Sequence, residues 1–472
     1  MMESWRSIAL VLSLFGFLKD FRPSDPFVVQ FLNGPWHNVS TEQINQQVFP
    51  VGTYSYGVQL VITFLVTDYF RYKPLIILSA LAGIVHYGLF IWTKALTWLQ
   101  LAEVFYGTYK AADVAFWSYI YARVDRSCYQ RITSYTKSAS QVGKFAAAVG
   151  SQILLYYGLV DYLDLNYASL AVQSCTTGIA LFLPSAPKSI YFNRSAGPGI
   201  SSTKDPPAQP VENGVTTKTD SFPPPPPASF SEGEEVEKLT ALELLWFHVK
   251  SAYSNFTVLR FSIWYALSSC IYYQTVLYVQ VLWRTVSGGG ATVVYWNGAV
   301  EAVLTICGAV VTFSAGFVPA KFLHVPNALA GLSWISFMQG GILLTSGLTG
   351  SLWVAYGAHI LYSILHAFTI TLLSAEIAKN ICRDSFGLVF GINAMIGSVL
   401  QCLLTVVVVN CTSIKGQFVV YAGVCIGVGV IFCILLLVEM KKWWKILFYV
   451  VKMKMSFQKK LELDSKANYQ SA

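Results

Sequence analysis

The stretch LTWLQLAEVFYGTYKAADVAFWSYI, residues 96–120, holds 25 residues of which only Glu103, Lys110 and Asp113 are charged. A helix rises 1.5 Å per residue, so a run of this length crosses a hydrocarbon core of about 30 Å. Glu103, Tyr106, Lys110, Asp113 and Trp117 recur at spacings of three and four, which puts all five on one helix face. The rest is mostly apolar, with Val104, Ala112, Ala115 and Ile120. A charged side chain at the bilayer centre costs at least ~2.5–3.5 kcal/mol, so this stripe does not face lipid. One reading is a self-neutralising pair of Lys110 with Asp113 or Glu103. The other is the wall of a cavity for a polar, aromatic, cationic solute, with acids attracting the charge and rings stacking on it.

The whole chain has the same character. It is 54% hydrophobic, 12% charged and 15% aromatic, with a mean hydropathy of +0.52. Ordinary soluble domains carry about 25% charged residues, so a disordered protein, a disulfide scaffold and a cytosolic enzyme are excluded. No catalytic constellation, phosphate loop or metal-ligand helix is visible, and no cofactor is expected. The nine cysteines lie scattered in apolar runs without a CxxC or Cys/His cluster, which gives neither a metal site nor a disulfide framework. Apolar runs recur at roughly 6–32, 53–70, 74–93, 96–122, 134–158 and 162–184, then at 258–284, 291–318, 323–345, 350–379, 386–411 and 416–438. The pattern predicts an all-α membrane protein of 12 transmembrane helices in a 6+6 arrangement. Residues 1–184 form the first six-helix bundle, 185–238 a linker, 239–439 an amphipathic helix and the second bundle, and 440–472 a basic tail. Lys19, Asp20, Arg22 and Asp25 interrupt the first run in its middle, so it reads as a retained helix rather than a signal peptide.

Lys and Arg crowd one side of this topology: Arg71, Lys73, Arg123, Arg126, Arg131, the linker and the tail. The opposite loops hold only Lys94, Arg284 and Lys415. This bias places both termini and the linker in the cytoplasm, and it accounts for the net charge of +8 without nucleic acid. Asn38-Val39-Ser40 is a glycosylation acceptor in the first outer loop. The linker carries Pro223–Pro227 and is a flexible tether. In 239–254, Leu242, Leu245, Trp246 and Val249 share one face, as in a helix lying on the inner membrane surface among its lipids.

Other spans carry polar groups. Asn297, Glu301 and Thr305 share a face, His359, Tyr362, Ser363 and His366 cluster, and Gln141 and Lys144 lie together with Ser151. An intramembrane acid can exchange charge with a site, so Glu301 is the candidate for proton coupling, with Lys110 and Lys144 beside it. Asp68 and Arg71 in Thr67-Asp68-Tyr69-Phe70-Arg71-Tyr72-Lys73 resemble the inter-helix gating motif of major facilitator transporters. Two bundles on a long linker suit alternating access around a midplane site.

Several ordered stretches resemble the vertebrate thiamine transporters and reduced folate carriers. They include Arg22-Pro23-Ser24-Asp25-Pro26-Phe27, Tyr54-Ser55-Tyr56, Glu103-Val104-Phe105-Tyr106-Gly107, Tyr129-Gln130-Arg131, Asn297 to Ala302 and Leu388 to Asn393. The resemblance implies a major facilitator fold that carries a vitamin across the plasma membrane. Folate carriers place basic residues at three positions that match Asp113, Ser363 and Gln401 here, and none of these is basic. Thiamine has a fixed positive charge and a flat ring, so the thiamine branch is the better match in charge. By the resemblance, Glu103 and Tyr106 hold the aminopyrimidine, Phe49 stands at the entrance, Asp25 reaches the polar tail, Asn297 reads the ring nitrogens, and Tyr87 replaces a tryptophan of the aromatic wall. Gly52 replaces a tryptophan next to Phe49, at a cost of roughly 0.5–1 kcal/mol of ring contact. The rivals are a folate carrier that uses Lys110 and Lys144, a carrier of another flat organic cation such as a pyridine vitamer, and a non-transporting receptor that keeps the fold.

Overall fold

The computed structural model describes residues 5–67, 72–113, 129–184, 241–289, 295–315, 325–381 and 386–441, with a few single positions between them. Among the described residues every regular element is helical. The first set comprises α1 (Trp5–Asp20), α2 (Val28–Asn33), α3 (Thr41–Gln43), α4 (Phe49–Thr67), α5 (Lys73–Trp92), α6 (Leu96–Ala111), α7 (Tyr129–Tyr156) and α8 (Tyr162–Phe182). The second comprises α9 (Ala241–Ser254), α10 (Phe256–Val286), α11 (Asn297–Ala315), α12 (Val325–Leu348), α13 (Leu352–Lys379), α14 (Phe386–Val408) and α15 (Ile414–Lys441). Seven helices, among them the continuous Thr41–Thr67, are long and apolar enough to cross a membrane. Helices α1, α6 and α7 fall outside that group, and they carry Lys19, Asp20, Glu103, Lys110 and Lys144. The outer surface is apolar, with Val58, Ile62, Phe313, Trp353 and Val407 more than half exposed, as lipid-facing helices require. Residues 185–238, the tail beyond 441 and the Asp68–Arg71 motif lie outside the described residues.

The first span corrects the sequence expectation. It is two helices with a break, not one helix over 6–32. α1 ends at Asp20, and a 3₁₀ turn at Asp25–Phe27 leads into α2. Pro23 and Pro26 each remove a backbone donor and disfavour helix in the residue before, which enforces the break. Broken helices at membrane depth occur where they line a cavity. Near the second bundle's start, α9 presents Trp246 and Phe247 outward at more than half exposure. Its far end is anchored by the Tyr253 hydroxyl, which donates to Asn393 Oδ1 at 2.9 Å.

One apolar cluster joins the two sets at the end that carries Asn38. There Phe31, Val48 and Phe49 pack with Tyr278, Trp283 and Tyr356. Toward the opposite end the clusters separate. Leu12, Phe15, Ile76 and Tyr119 form one within the first set, and Phe261, Trp264, Leu329 and Phe432 form another within the second. Polar latches reinforce the joined end. Asn297 Nδ2 donates to the Pro26 carbonyl at 2.8 Å, and its Oδ1 accepts from the Tyr356 hydroxyl at 2.9 Å. Gln280 Nε2 donates to the Asp25 carbonyl at 2.9 Å. Gln152 Nε2 donates to the Tyr295 carbonyl at 3.2 Å, and its Oε1 accepts from the Ala299 N–H, also at 3.2 Å. Asn297→Ala removes a buried partner from both sets, at roughly 1–3 kcal/mol. Hydrogen exchange of residues 26–33 is expected to rise in this variant. Unchanged protection would show that the apolar cluster alone holds the end shut.

Candidate functional site

The break after α1 is where charge gathers. The Lys19 ammonium pairs with Asp113 and faces the rings of Tyr109 and Phe116 at 5.5 and 5.7 Å. Arg22 Nη1 lies 2.7 Å from Asp25 Oδ2, and Nη2 lies 3.9 Å from Asp20 Oδ1. The guanidinium also stands 5.6 Å from the Tyr109 ring. The Tyr87 hydroxyl donates to Asp25 Oδ1 at 3.1 Å, and the Tyr109 hydroxyl donates to the Lys19 carbonyl at 2.8 Å. Two expected acids, Asp113 and Asp25, are thus taken up by Lys19 and Arg22. The pairing of Lys110 with Asp113 or Glu103 is not what forms: Lys110 Nζ instead stands over the Tyr106 ring at 5.7 Å. Asp113 lies just past the end of α6 at Ala111, where the chain turns, and α1 supplies its partner.

Glu103 is different. It is 4% exposed, and among the described residues it has no ion pair or hydrogen bond. Its carboxylate occupies the space that a side chain at Gly52 would need. A side chain at position 52 and this acid therefore compete for one space. Beside it runs an aromatic wall. His86 lies 5.1 Å from Tyr106 and 5.0 Å from Tyr87, and Tyr106 stacks on Tyr109 at 6.2 Å. His86 is fixed by the Ala102 carbonyl, 2.9 Å from Nδ1. Gly52→Ala is expected to displace the Glu103 carboxylate and raise the KM for a cationic substrate about tenfold, or about 1.4 kcal/mol, measured as uptake. An unchanged KM would mean that the carboxylate relocates freely.

Lys144 of α7 and Glu301 of α11 lie on helices that pack against each other across the two sets. No N–O distance within 4 Å joins Lys144 to Glu301. The side chains of Asp113 and Asp25 retain 30% and 38% exposure in the middle of the assembly, so water reaches this interior. Lys19, Arg22, Lys110 and Lys144 stand against Asp20, Asp25, Glu103, Asp113 and Glu301.

Two expected site residues serve the seal in this conformation. Asn297 is fully engaged by Pro26, Gln30 and Tyr356. Phe49 is 3% exposed and packs edge-on against Tyr278 at 6.0 Å. Sequence reading gave no role to Lys19, Asp20 and Arg22, although four charges beside Pro23 and Pro26 in one apolar run were the available signal. In the second set, His366 Nδ1 lies 3.1 Å from the Ser268 hydroxyl and its ring stacks on Tyr272 at 4.0 Å. It is a satisfied core histidine.

Two helical sets that share a seal at one end and enclose a charged, water-reached interior define a membrane transporter rather than an enzyme. The comparisons agree. A profile of the reduced folate carrier family matches residues 3–420, and the chain belongs to that family. It is 34% identical over 447 residues to human thiamine transporter 1, covering 91% of this chain and 89% of that one. It is 32% identical to human thiamine transporter 2, covering 89% and 88%. Folate transporter 1 of Caenorhabditis elegans is also 32% identical, covering 93% of each chain. Among solved structures, a point mutant of the nucleoside transporter NupG superposes with a TM-score of 0.60 at 10% identity, over 90% of this chain and 99% of that one. The POT family transporter PepTSo gives 0.59 at 12%, over 91% and 97%. The fold is the major facilitator arrangement.

Proposed function

We propose that this chain is a plasma-membrane carrier of thiamine that works by alternating access between two six-helix bundles. The observation that carries the substrate class is Glu103: a nearly buried carboxylate with no protein partner among the described residues, beside Tyr106 and His86. An unpaired buried charge is costly, so its natural partner is a cationic ligand. A monocation complements this acid, whereas a folate dianion would bring further negative charge beside it. Tyr106 and Tyr87 supply stacking, and Arg22 holds Asp25 in place at 2.7 Å. Phe49 and Asn297 reach a substrate only when the seal opens, and Asp68 and Arg71 act as the gate on the linker side. With that side cytoplasmic, as the Lys/Arg bias supports, the joined Asn38 end faces outward and is closed, which makes this an inward-facing state. Asn38 is exposed and accessible to glycosylation.

Uptake of labelled thiamine by cells that express the chain tests the reading, with labelled folate in parallel. Thiamine uptake that folate does not compete supports it, and folate uptake alone sinks it. Glu301 is the coupling acid of this proposal, since it is an acid within α11, the helix that packs across the two sets on the helix that carries Lys144. Glu301→Gln is expected to flatten the pH dependence of uptake while leaving thiamine binding. A pH profile identical to that of the unmodified chain would remove Glu301 from coupling.

A further inference from the structure

A second cavity, of about 340 Å³, lies at the sealed Asn38 end. Phe27, Trp36, Tyr156, Tyr162 and Tyr295 line it, with Asp161 at its rim and Gln152 below. Its walls come from both sets: Phe27 follows the break, Trp36 stands in the first loop, Tyr156 and Tyr162 flank the α7–α8 turn, and Tyr295 precedes α11. Tyr162 is the hub. Phe27 lies 5.7 Å from it at 32°, and Trp36 meets it edge-on at 6.2 Å. Tyr295 is pinned by hydroxyl contacts to Ser287 at 2.9 Å and to Arg284 Nη1 at 3.2 Å. Gln152 fixes the floor by bonding the Tyr295 carbonyl and the Ala299 N–H.

Rings that converge on one space with a carboxylate at the rim are the chemistry that holds a quaternary or delocalised organic cation. The volume falls in the range of small-ligand sites. We propose that this cavity is an outer cation site, distinct from the Glu103 interior, which binds such a cation while the seal beneath it is closed. Asp161 supplies the charge and the rings supply the faces. Arg284 is the opposing charge: it stands 5.8 Å from the Tyr295 ring and keeps the site weak, as release into a transport path requires. The cage needs only an organic cation. That the arriving cation is thiamine rests on the functional reading above. A choline lipid headgroup has the same chemistry and is the other source of such a ligand.

The test uses the full chain carrying Glu103→Gln, which silences the interior acid, in nanodiscs of glycerol-headgroup lipids. Labelled N-methylpyridinium is titrated by equilibrium dialysis, with thiamine as competitor. One saturable site per chain is expected. Tyr162→Leu is expected to weaken it at least tenfold and Arg284→Gln to tighten it several-fold. Tyr156, which is 60% exposed, gives a variant that leaves the core intact: Tyr156→Leu is expected to weaken binding severalfold with an unchanged melting temperature. Loss of the signal on adding choline lipids supports the cage and assigns the headgroup as a competitor. If N-methylpyridinium binds the cage and thiamine does not displace it, the cage stands and the thiamine reading falls. Absence of saturable binding, or binding that none of the three variants alters, overturns the proposal.

Discussion

Glu103→Gln is expected to raise the KM for thiamine about 30- to 1,000-fold, or to abolish uptake, while leaving the empty protein as stable as before or more so. The two halves of this result have one cause. The glutamine keeps the shape but loses the charge that meets the cation. Loss of one member of a desolvated charge pair costs roughly 2–4 kcal/mol, and 1.4 kcal/mol is tenfold. In the empty protein the carboxylate is 4% exposed without a partner among the described residues, so neutralising it removes a desolvation cost and breaks no contact. Uptake kinetics together with a thermal unfolding curve separate this from a structural role. If Glu103→Gln lowered the melting temperature and the expression level along with uptake, the acid would be holding the fold rather than the ligand.

The opposite pattern is expected at Asp113. Asp113→Asn leaves the Lys19 ammonium, 6% exposed, without its partner. Breaking a fully buried pair costs about 3–5 kcal/mol, and the partial exposure of Asp113 reduces this to about 2–3 kcal/mol. A melting temperature lower by several degrees is expected. Lys19→Met combined with Asp113→Leu is expected to recover most of the loss, because both charges leave together and the Tyr109 and Phe116 rings accept the apolar chain. A double variant no more stable than the single one would show that the pair matters for more than mutual neutralisation.

These contrasting acids show what the sequence conveyed. The stripe Glu103–Tyr106–Lys110 was visible because helical spacing is a local property, and the resemblance placed Asp25 and Tyr87 in one site with it, where the structure joins the last two at 3.1 Å. The partner of Asp113 was not visible. Lys19 lies 94 positions away, and which helix packs on which is set by tertiary contacts. The break in the first span was signalled by Pro23, Pro26 and four charges, but its consequence, a charged knot around Arg22, required the neighbouring helices. Asn297 shows the limit in another way. Its amide in an apolar run signals a polar partner, yet the run does not say whether that partner is a ligand or, as the structure has it, the Pro26 carbonyl.

The proposed transport of a cationic vitamin rests on one unpaired acid, Glu103. Equilibrium binding of labelled thiamine to the purified full chain, with and without Glu103→Gln and with folate as competitor, tests it most directly. Saturable thiamine binding is expected that folate leaves untouched and that Glu103→Gln weakens at least about thirtyfold, the loss of one member of a desolvated charge pair. Folate binding by the unmodified chain, with thiamine excluded, would contradict it and would make Lys110 and Lys144 the groups that set the substrate's charge.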